Sequence, residues 1–439
     1  MTPSIATPRL LAALLAASLV VAACGSNSQT AAPTAAGSPA SSTSASAAPG
    51  GSGAPSSSAQ DITAVARAIE GQVVKIRGLQ QKAAVDPKVV DAATMTAFIE
   101  KDFAKENPAP QVAADERLAK LLGLLPQNAS VNDLYRQLLT SQVVGLYSPD
   151  DKVLYVLESG AGLGPAQRLI YSHEFTHALQ DQAFDLIAYD KANRLDQQGD
   201  RSLAATSLAE GDAQTVMTVW AQTMLSVDEL LKAAQDASDP KAAAIMAGLP
   251  TILRETALFP YQQGATFVTN LIQSGGWTAV NKAYGAPPES SEQVMHGDKY
   301  AAREKPVVVA IPEGLADRMG AGWSVGTQDT YGEFQLSIWL RGASGAATAA
   351  TATAAAGWGG DRLALLDGPG GARGAVMLSA WDTANDAKEF ADAARAAISS
   401  FKLSAEVVYQ SGSKSVTVLI GSDDATTNRL HVILGAGGV

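Results

Sequence analysis

The chain has 439 residues, 46% of them apolar, which is enough for one large domain or two ordinary ones with a sizeable core. A formal net charge of −11 excludes the concentrated basic surface that a nucleic-acid partner requires. The single cysteine, Cys24, excludes an intramolecular disulfide, and two of the four histidines fall within one five-residue window.

The first element is a targeting segment. Arg9 and the amino terminus precede an apolar run from Leu10 to Ala23, too short for a comfortable membrane-spanning helix and suited to a signal-peptide core. The run ends Val21-Ala22-Ala23-Cys24, which resembles the bacterial lipobox. Residues 1–24 are therefore expected to be a lipoprotein signal peptide. Cys24 becomes the lipidated residue that anchors the chain to the cell membrane on its extracytoplasmic face. Residues 25–60 are mostly Ser, Ala, Gly, Pro and Thr and bury too little to fold, so they are expected to be a disordered tether.

The folded part is expected to begin near Asp61, which can cap a helix carrying Ile62, Val65, Ile69, Val73 and Ile76 at helical spacing. Further helices are expected at 91–105, 112–123 and 131–141. The period then changes. Val143, Val144, Leu146 and Tyr147 precede Ser-Pro-Asp-Asp, and Val153–Val156 follow it, which reads as a β-hairpin. Gly164-Pro165 opens the helix that carries the paired histidines. Two more helices are expected at roughly 202–222 and 257–274, the latter closed by Gly275-Gly276. Beyond about 305 the pattern is mixed. Val307–Ile311 reads as a strand, and Tyr331–Arg341 fits either helix or strand. Leu363–Leu366 and Ala375–Ala380 flank a hairpin turn, Asp386–Phe401 is an amphipathic helix, and strands fit 405–409 and 415–420. The class is α+β and mainly helical, with residues 61–305 as one domain and 306–439 as an α+β C-terminal region.

The chemistry lies in Tyr171-Ser-His-Glu-Phe-Thr-His-Ala-Leu-Gln-Asp-Gln182, which contains His173-Glu174-x-x-His177. On a helix, positions i and i+4 share a face, so two imidazoles there can meet one zinc ion. Glu174 sits beside the first ligand, where it can take a proton from a water activated by the metal. The longer metzincin pattern is excluded, because positions 180 and 183 are Gln180 and Ala183. A catalytic zinc needs a third protein ligand. Glu210, on the next helix, shares an apolar stripe with Leu203, Ala213 and Met217, where a lone carboxylate is costly unless paired or ligating. Asp212 competes for the role but points about 200° away around the helix.

His173-Glu174-Phe-Thr-His177-Ala-Leu-Gln-Asp181, followed by Glu210-Gly-Asp-Ala, resembles the gluzincin superfamily of zinc metallopeptidases over roughly residues 140–300. The resemblance implies a zincin-like core with a small sheet and an HExxH helix. It implies Zn2+ held by His173, His177 and Glu210, with Glu174 as general base, and hydrolysis of peptide bonds in extracytoplasmic proteins or peptides. The gluzincin acid four residues after the ligand glutamate is replaced by Gln214. Orientation of an imidazole is then expected from Gln214, Asp212 or Asp181. It also suggests an oxyanion-stabilising residue from beyond the zinc helices, for which His296 and Tyr300 are the candidates, and a substrate strand added along 153–157.

Tyr261 is a candidate lining residue. Trp358, Asp361, Arg362, Trp381 and Asp382 are read as packing and capping residues, Glu333 is unassigned, and His431 is expected to have no metal role. Two other functions compete with hydrolysis: a catalytically silent zinc-containing surface lipoprotein that binds a partner, and a solute-binding lipoprotein. Glu174 favours hydrolysis, since a structural zinc site has no use for a base beside an open ligand position.

Overall fold

A computed structural model describes residues 59–142, 145–158, 162–342, 345, 347–400 and 403–434. Cys24 and the tether up to residue 58 lie outside the described residues. The fold is mixed α+β, mainly helical, with two small sheets.

The N-terminal half packs helices around a three-stranded sheet. Helix α1 (Ala59–Arg77) starts two residues before Asp61, which is therefore inside the helix and not its cap. Strand β1 (Pro87–Val90) leads to α2 (Ala92–Glu106), whose N-cap Asp91 accepts from the Thr94 N–H at 2.7 Å. Next come α3 (Ala109–Leu121), α4 (Val131–Gln142) and the expected hairpin, β2 (Gly145–Ser148) with β3 (Val153–Leu157). The strand order is β1-β3-β2, with β3 parallel to β1 and antiparallel to β2. Both edges of 153–157 are thus taken, which corrects the expectation that this strand offers an edge to substrate. Strand β1 was not anticipated, because four residues beginning with proline carry no readable alternation.

Pro165 does open α5 (Pro165–Phe184), followed by α6 (Leu186–Asn193), α7 (Gly199–Met224), α8 (Val227–Ala237), α9 (Pro240–Gly248) and α10 (Thr251–Gly285). Helix α10 is broken at Gly275 and Gly276, the latter at φ +64°. Helices α7 and α10 cross backbone on backbone. A Cβ built on Gly211 would lie 2.2 Å from the carbonyl carbon and oxygen of Gly264, and one on Gly264 would lie 2.3 Å from the Ser207 carbonyl oxygen. Two short helices, α11 (Ser291–Met295) and α12 (Gly297–Ala302), complete this half.

Residues 307–311 are not a strand. Pro306 and Pro312 bracket them, and Val308 is 90% exposed. The Val307 N–H meets the Gly359 carbonyl at 2.6 Å, and Arg362 Nε donates to the Val309 carbonyl, so the segment is an extended strap laid on its neighbours. After α13 (Leu315–Met319) come β4 (Ser324–Asp329), α14 (Gly332–Trp339), α15 (Ala349–Ala355), β5 (Trp358–Asp367), β6 (Arg373–Trp381), α16 (Ala384–Ile398), β7 (Ser404–Val408), β8 (Ser415–Gly421) and α17 (Asp424–Leu434). The strands form an antiparallel sheet in the order β4-β5-β6-β8-β7. One face packs against α14–α16 and against Leu118, Leu121 and Leu122 of α3. The other is covered by α13, α17 and Val309. Ile338 of α14 in turn packs among the N-terminal helices, so the two halves share their cores across residue 305.

Candidate metal centre

Helix α5 is buried on nearly all sides over Leu169–Asp181, because α1, α7 and the hairpin pack around it. His173 and His177, one turn apart, face α7, which presents Glu210. The three ligand atoms form a nearly regular triangle. His173 Nε2 and His177 Nε2 are 3.1 Å apart, and they lie 3.2 and 3.3 Å from Glu210 Oε2. A tetrahedral ion with bonds of 2.0–2.1 Å needs donor atoms about 3.3 Å apart, so the triangle is one face of such a site. His173, His177 and Glu210 together form a group able to hold a metal ion.

The electrostatics of the three groups are strongly coupled. Burial alone would lower the His177 pKa, but the carboxylates of Glu210 and Glu174 override it and push the imidazole up to about 9. Burial alone would raise Glu210, yet His177 and the hydrogen bond from His173 pull it down to about 2. Two ionised carboxylates beside two neutral imidazoles carry two negative charges, which a divalent ion would balance without protonating a ligand.

Outside the ligands, the geometry differs from expectation. Gln180 Nε2 donates to the Ala209 carbonyl at 2.9 Å, which turns Gln180 Oε1 toward His177 Nδ1, also at 2.9 Å. In the neutral ring Nδ1 then carries the proton, which makes Nε2 the nitrogen with a lone pair for a metal. Gln180 is therefore the orienting group for His177, a residue the sequence reading had weighed only for the motif it excludes. The signal was its i+3 spacing from His177 on the same helix. Asp212 is committed elsewhere, in a fully buried bidentate pair with Arg77 at 2.7 and 3.0 Å and a 2.9 Å bond from Tyr284 Oη. Asp181 accepts from Tyr147 Oη at 2.7 Å, Lys152 Nζ at 2.6 Å and the Leu186 N–H at 3.1 Å, so it ties the hairpin to α5. Gln214 Oε1 and His173 Nδ1 are buried without a protein partner.

Glu174 lies beside the triangle. Its Oε2 accepts the Tyr147 N–H of β2 at 2.8 Å, while Oε1 is buried with no partner. Burial raises its pKa, and the two histidines and the Tyr147 amide offset part of that rise. Strand β2 runs close by, with a Cβ on Gly145 placed at ordinary contact distance, 3.4 Å from Ile170 and 3.9 Å from Glu174. Tyr261 stands behind the ligands: its ring centroid is 6.1 Å from that of His173, and it is fully enclosed and not exposed to the cleft.

His296 and Tyr300 are not brought to this centre. His296 Nε2 pairs with Glu333 at 3.0 Å, and Tyr300 Oη donates to the Ala286 carbonyl at 2.9 Å. Both belong to the far end of α7, where Asp200 accepts the Ser291 N–H. That end is about 15 Å along the helix from Glu210 at 1.5 Å per residue. The unassigned residues have structural partners. Asp361 accepts from the Tyr331 and Gly332 amides and from Trp358 Nε1, and His431 Nδ1 lies 2.9 Å from Glu406.

A cleft with a cavity of about 90 Å³ opens in front of Glu174, His177 and Glu210. Helix α2 and the hairpin wall one side, and α6 and α7 the other. No curated protein and no solved structure matches the chain. A family model described as a domain of unknown function (DUF8575) matches residues 321–432, from β4 into α17. The matched stretch is the C-terminal sheet with its helices, and it includes none of His173, Glu174, His177 and Glu210.

Proposed function

We propose that this chain is a zinc-dependent peptidase of the gluzincin type, with a zincin-like core. His173, His177 and Glu210 hold the metal, and Glu174 is the general base. The observation that carries the reading is the triangle of three lone-pair atoms at 3.1–3.3 Å, with a second, partly unpartnered carboxylate at its side and a cleft in front. When bound, zinc would supply Lewis-acid polarisation of a water and of the scissile carbonyl.

The rest falls to the chain. The Tyr147 amide fixes one oxygen of Glu174 and leaves Oε1 without a protein partner. Glu174 takes a proton from the attacking water as its oxygen bonds to the carbonyl carbon, and returns that proton to the amine nitrogen as the C–N bond breaks. Gln180 holds His177 with its unprotonated nitrogen inward. The location proposed is the outer face of the membrane, anchored through Cys24, on the lipobox sequence. Among the described residues no single helix is long and apolar enough to cross a membrane.

Metal analysis of the full chain tests the site. One zinc per chain, lost in His177→Ala and in Glu210→Ala, is expected. Glu174→Gln is expected to keep zinc and to lose peptide hydrolysis by at least about a hundredfold. Undiminished hydrolysis in that variant would remove Glu174 as base. Zinc without hydrolysis in the parent would favour the partner-binding alternative.

A further inference from the structure

The cleft in front of the candidate metal centre carries charge of one sign. Helix α2 presents Asp102 and Glu106, one turn apart and half-buried, and α6 presents Asp190 opposite them. Asp150 on the β2–β3 turn stands at the rim, with Lys105 as its partner outside the cleft. Among the described residues, the one Lys or Arg in the lining is Arg194, which is already engaged by Glu106 at 3.1 Å and Asp190 at 3.4 Å. With Glu174 and Glu210 at the inner end, six carboxylates face one guanidinium. A divalent ion, together with the Lys105 partner of Asp150, still leaves two negative charges in excess. Low-dielectric walls concentrate such a field on whatever enters.

The shape suits an extended chain. Ser202, Ala205, Thr206 and Ala209 repeat at helical spacing along α7 and make a floor of small side chains leading to Glu210. From Ser202 to Glu210 is about 12 Å at 1.5 Å per residue, the span of three to four extended residues. A peptide on this floor, with one bond at the metal, passes its side chains between Asp102 and Glu106 on one wall and Asp190 on the other. The buried, unpartnered Glu174 Oε1 marks the inner end as a place where a ligand group is wanted. Arg194 does not recruit acidic side chains, because two carboxylates already neutralise it.

We propose that this cleft selects peptides carrying Lys or Arg within about three residues of the bond held at the metal, with Asp102, Glu106 and Asp190 as specificity-determining residues. The reference to a bond at the metal rests on the peptidase reading, whereas the preference for cationic peptides can be measured without turnover.

The test uses the full chain carrying Glu174→Gln and blocked, fluorescein-labelled Ala/Ser octapeptides with two Arg, two Gln or two Glu residues, read by fluorescence anisotropy. The Arg peptide is expected to bind at least about tenfold tighter than the Gln peptide, and the Glu peptide weakest, with the differences shrinking at high salt. Asp102→Asn is expected to cut the Arg/Gln ratio by about threefold or more and to leave Gln-peptide binding unchanged. Asp102→Lys, which reverses the charge, is expected to move the preference toward the Glu peptide, a change that loss of folding does not produce. Equal binding of the three peptides, a preference for Glu in the parent, or no binding of any would overturn the proposal. Arg-peptide binding together with a parent chain that cleaves nothing would leave it standing and sink the peptidase reading alone.

Discussion

A neutral imidazole offers a metal only the nitrogen that carries no proton, so the ligand strength of His177 depends on what holds its other nitrogen. Gln180 does so, and it is itself locked by the Ala209 carbonyl of the helix that supplies Glu210. Gln180→Leu is expected to weaken zinc binding by about 10–100-fold in a chelator competition titration, and Gln180→Glu, which keeps the acceptor, to weaken it less. Equal affinity in all three chains would mean that helix geometry alone orients His177. At this scale much of the centre was legible in the sequence. The i, i+4 histidines and the glutamate between them need only a helix, and Glu210 betrayed itself as an acid in an apolar stripe. His296 and Tyr300 were misassigned because nothing in their local sequence says at which end of α7 the chain returns. Gln180 was passed over because its i+3 spacing from His177 is shared by many helix pairs that never touch a metal ligand.

Among elements, the contact that matters most is the crossing of α7 over α10. Gly211 follows Glu210, the proposed ligand, and any side chain there meets the Gly264 backbone, which cannot swing aside as a flexible side chain would. Gly211→Ala is expected to destabilise the chain by about 1–3 kcal/mol or more in denaturant unfolding, and to weaken zinc binding because α7 must shift. A variant with parental stability and zinc affinity would show that the crossing has slack. The sequence showed both glycines but not that they face each other, since pairing between helices over fifty residues apart leaves no local periodicity. Helix boundaries near the site were readable from Pro165 and Gly275-Gly276. The strap at 307–311 was not, because an apolar run of valines, alanine and isoleucine has strand composition whether or not a neighbouring strand lies alongside to pair with it.

For the molecule as a whole, the seam between the two halves holds buried acids. Asp115 of α3 accepts from Thr327 Oγ1 at 2.9 Å and Gln111 Nε2 at 2.8 Å. Burial, and then the charge of Asp329, push it from 3.8 up to about 8, against smaller pulls from the Thr327 and Gln111 hydrogen bonds and from Arg117. The folded chain therefore keeps a proton that the unfolded chain has already released. The resulting stabilisation is complete below about pH 4 and is lost as pH rises toward 8. Asp115→Asn is expected to melt higher than the parent at pH 8 and to lose that advantage near pH 4, an effect of a few kcal/mol at most. An identical pH profile for parent and variant would place the titration elsewhere, for instance at Asp361, which burial raises to about 6.

The three leucines at the end of α3 that finish the C-terminal core have a consequence for how the protein is made. The strands this helix packs against, β4, β5 and β6, follow it only after the whole run of helices from α4 to α13. A nascent chain therefore carries a bare leucine face until those strands have been synthesised. A product stalled or truncated before β4 is not a smaller working protein but a sticky intermediate and a substrate for chaperones. The distant C-terminal sheet would thus act as the checkpoint that a growing chain has to pass.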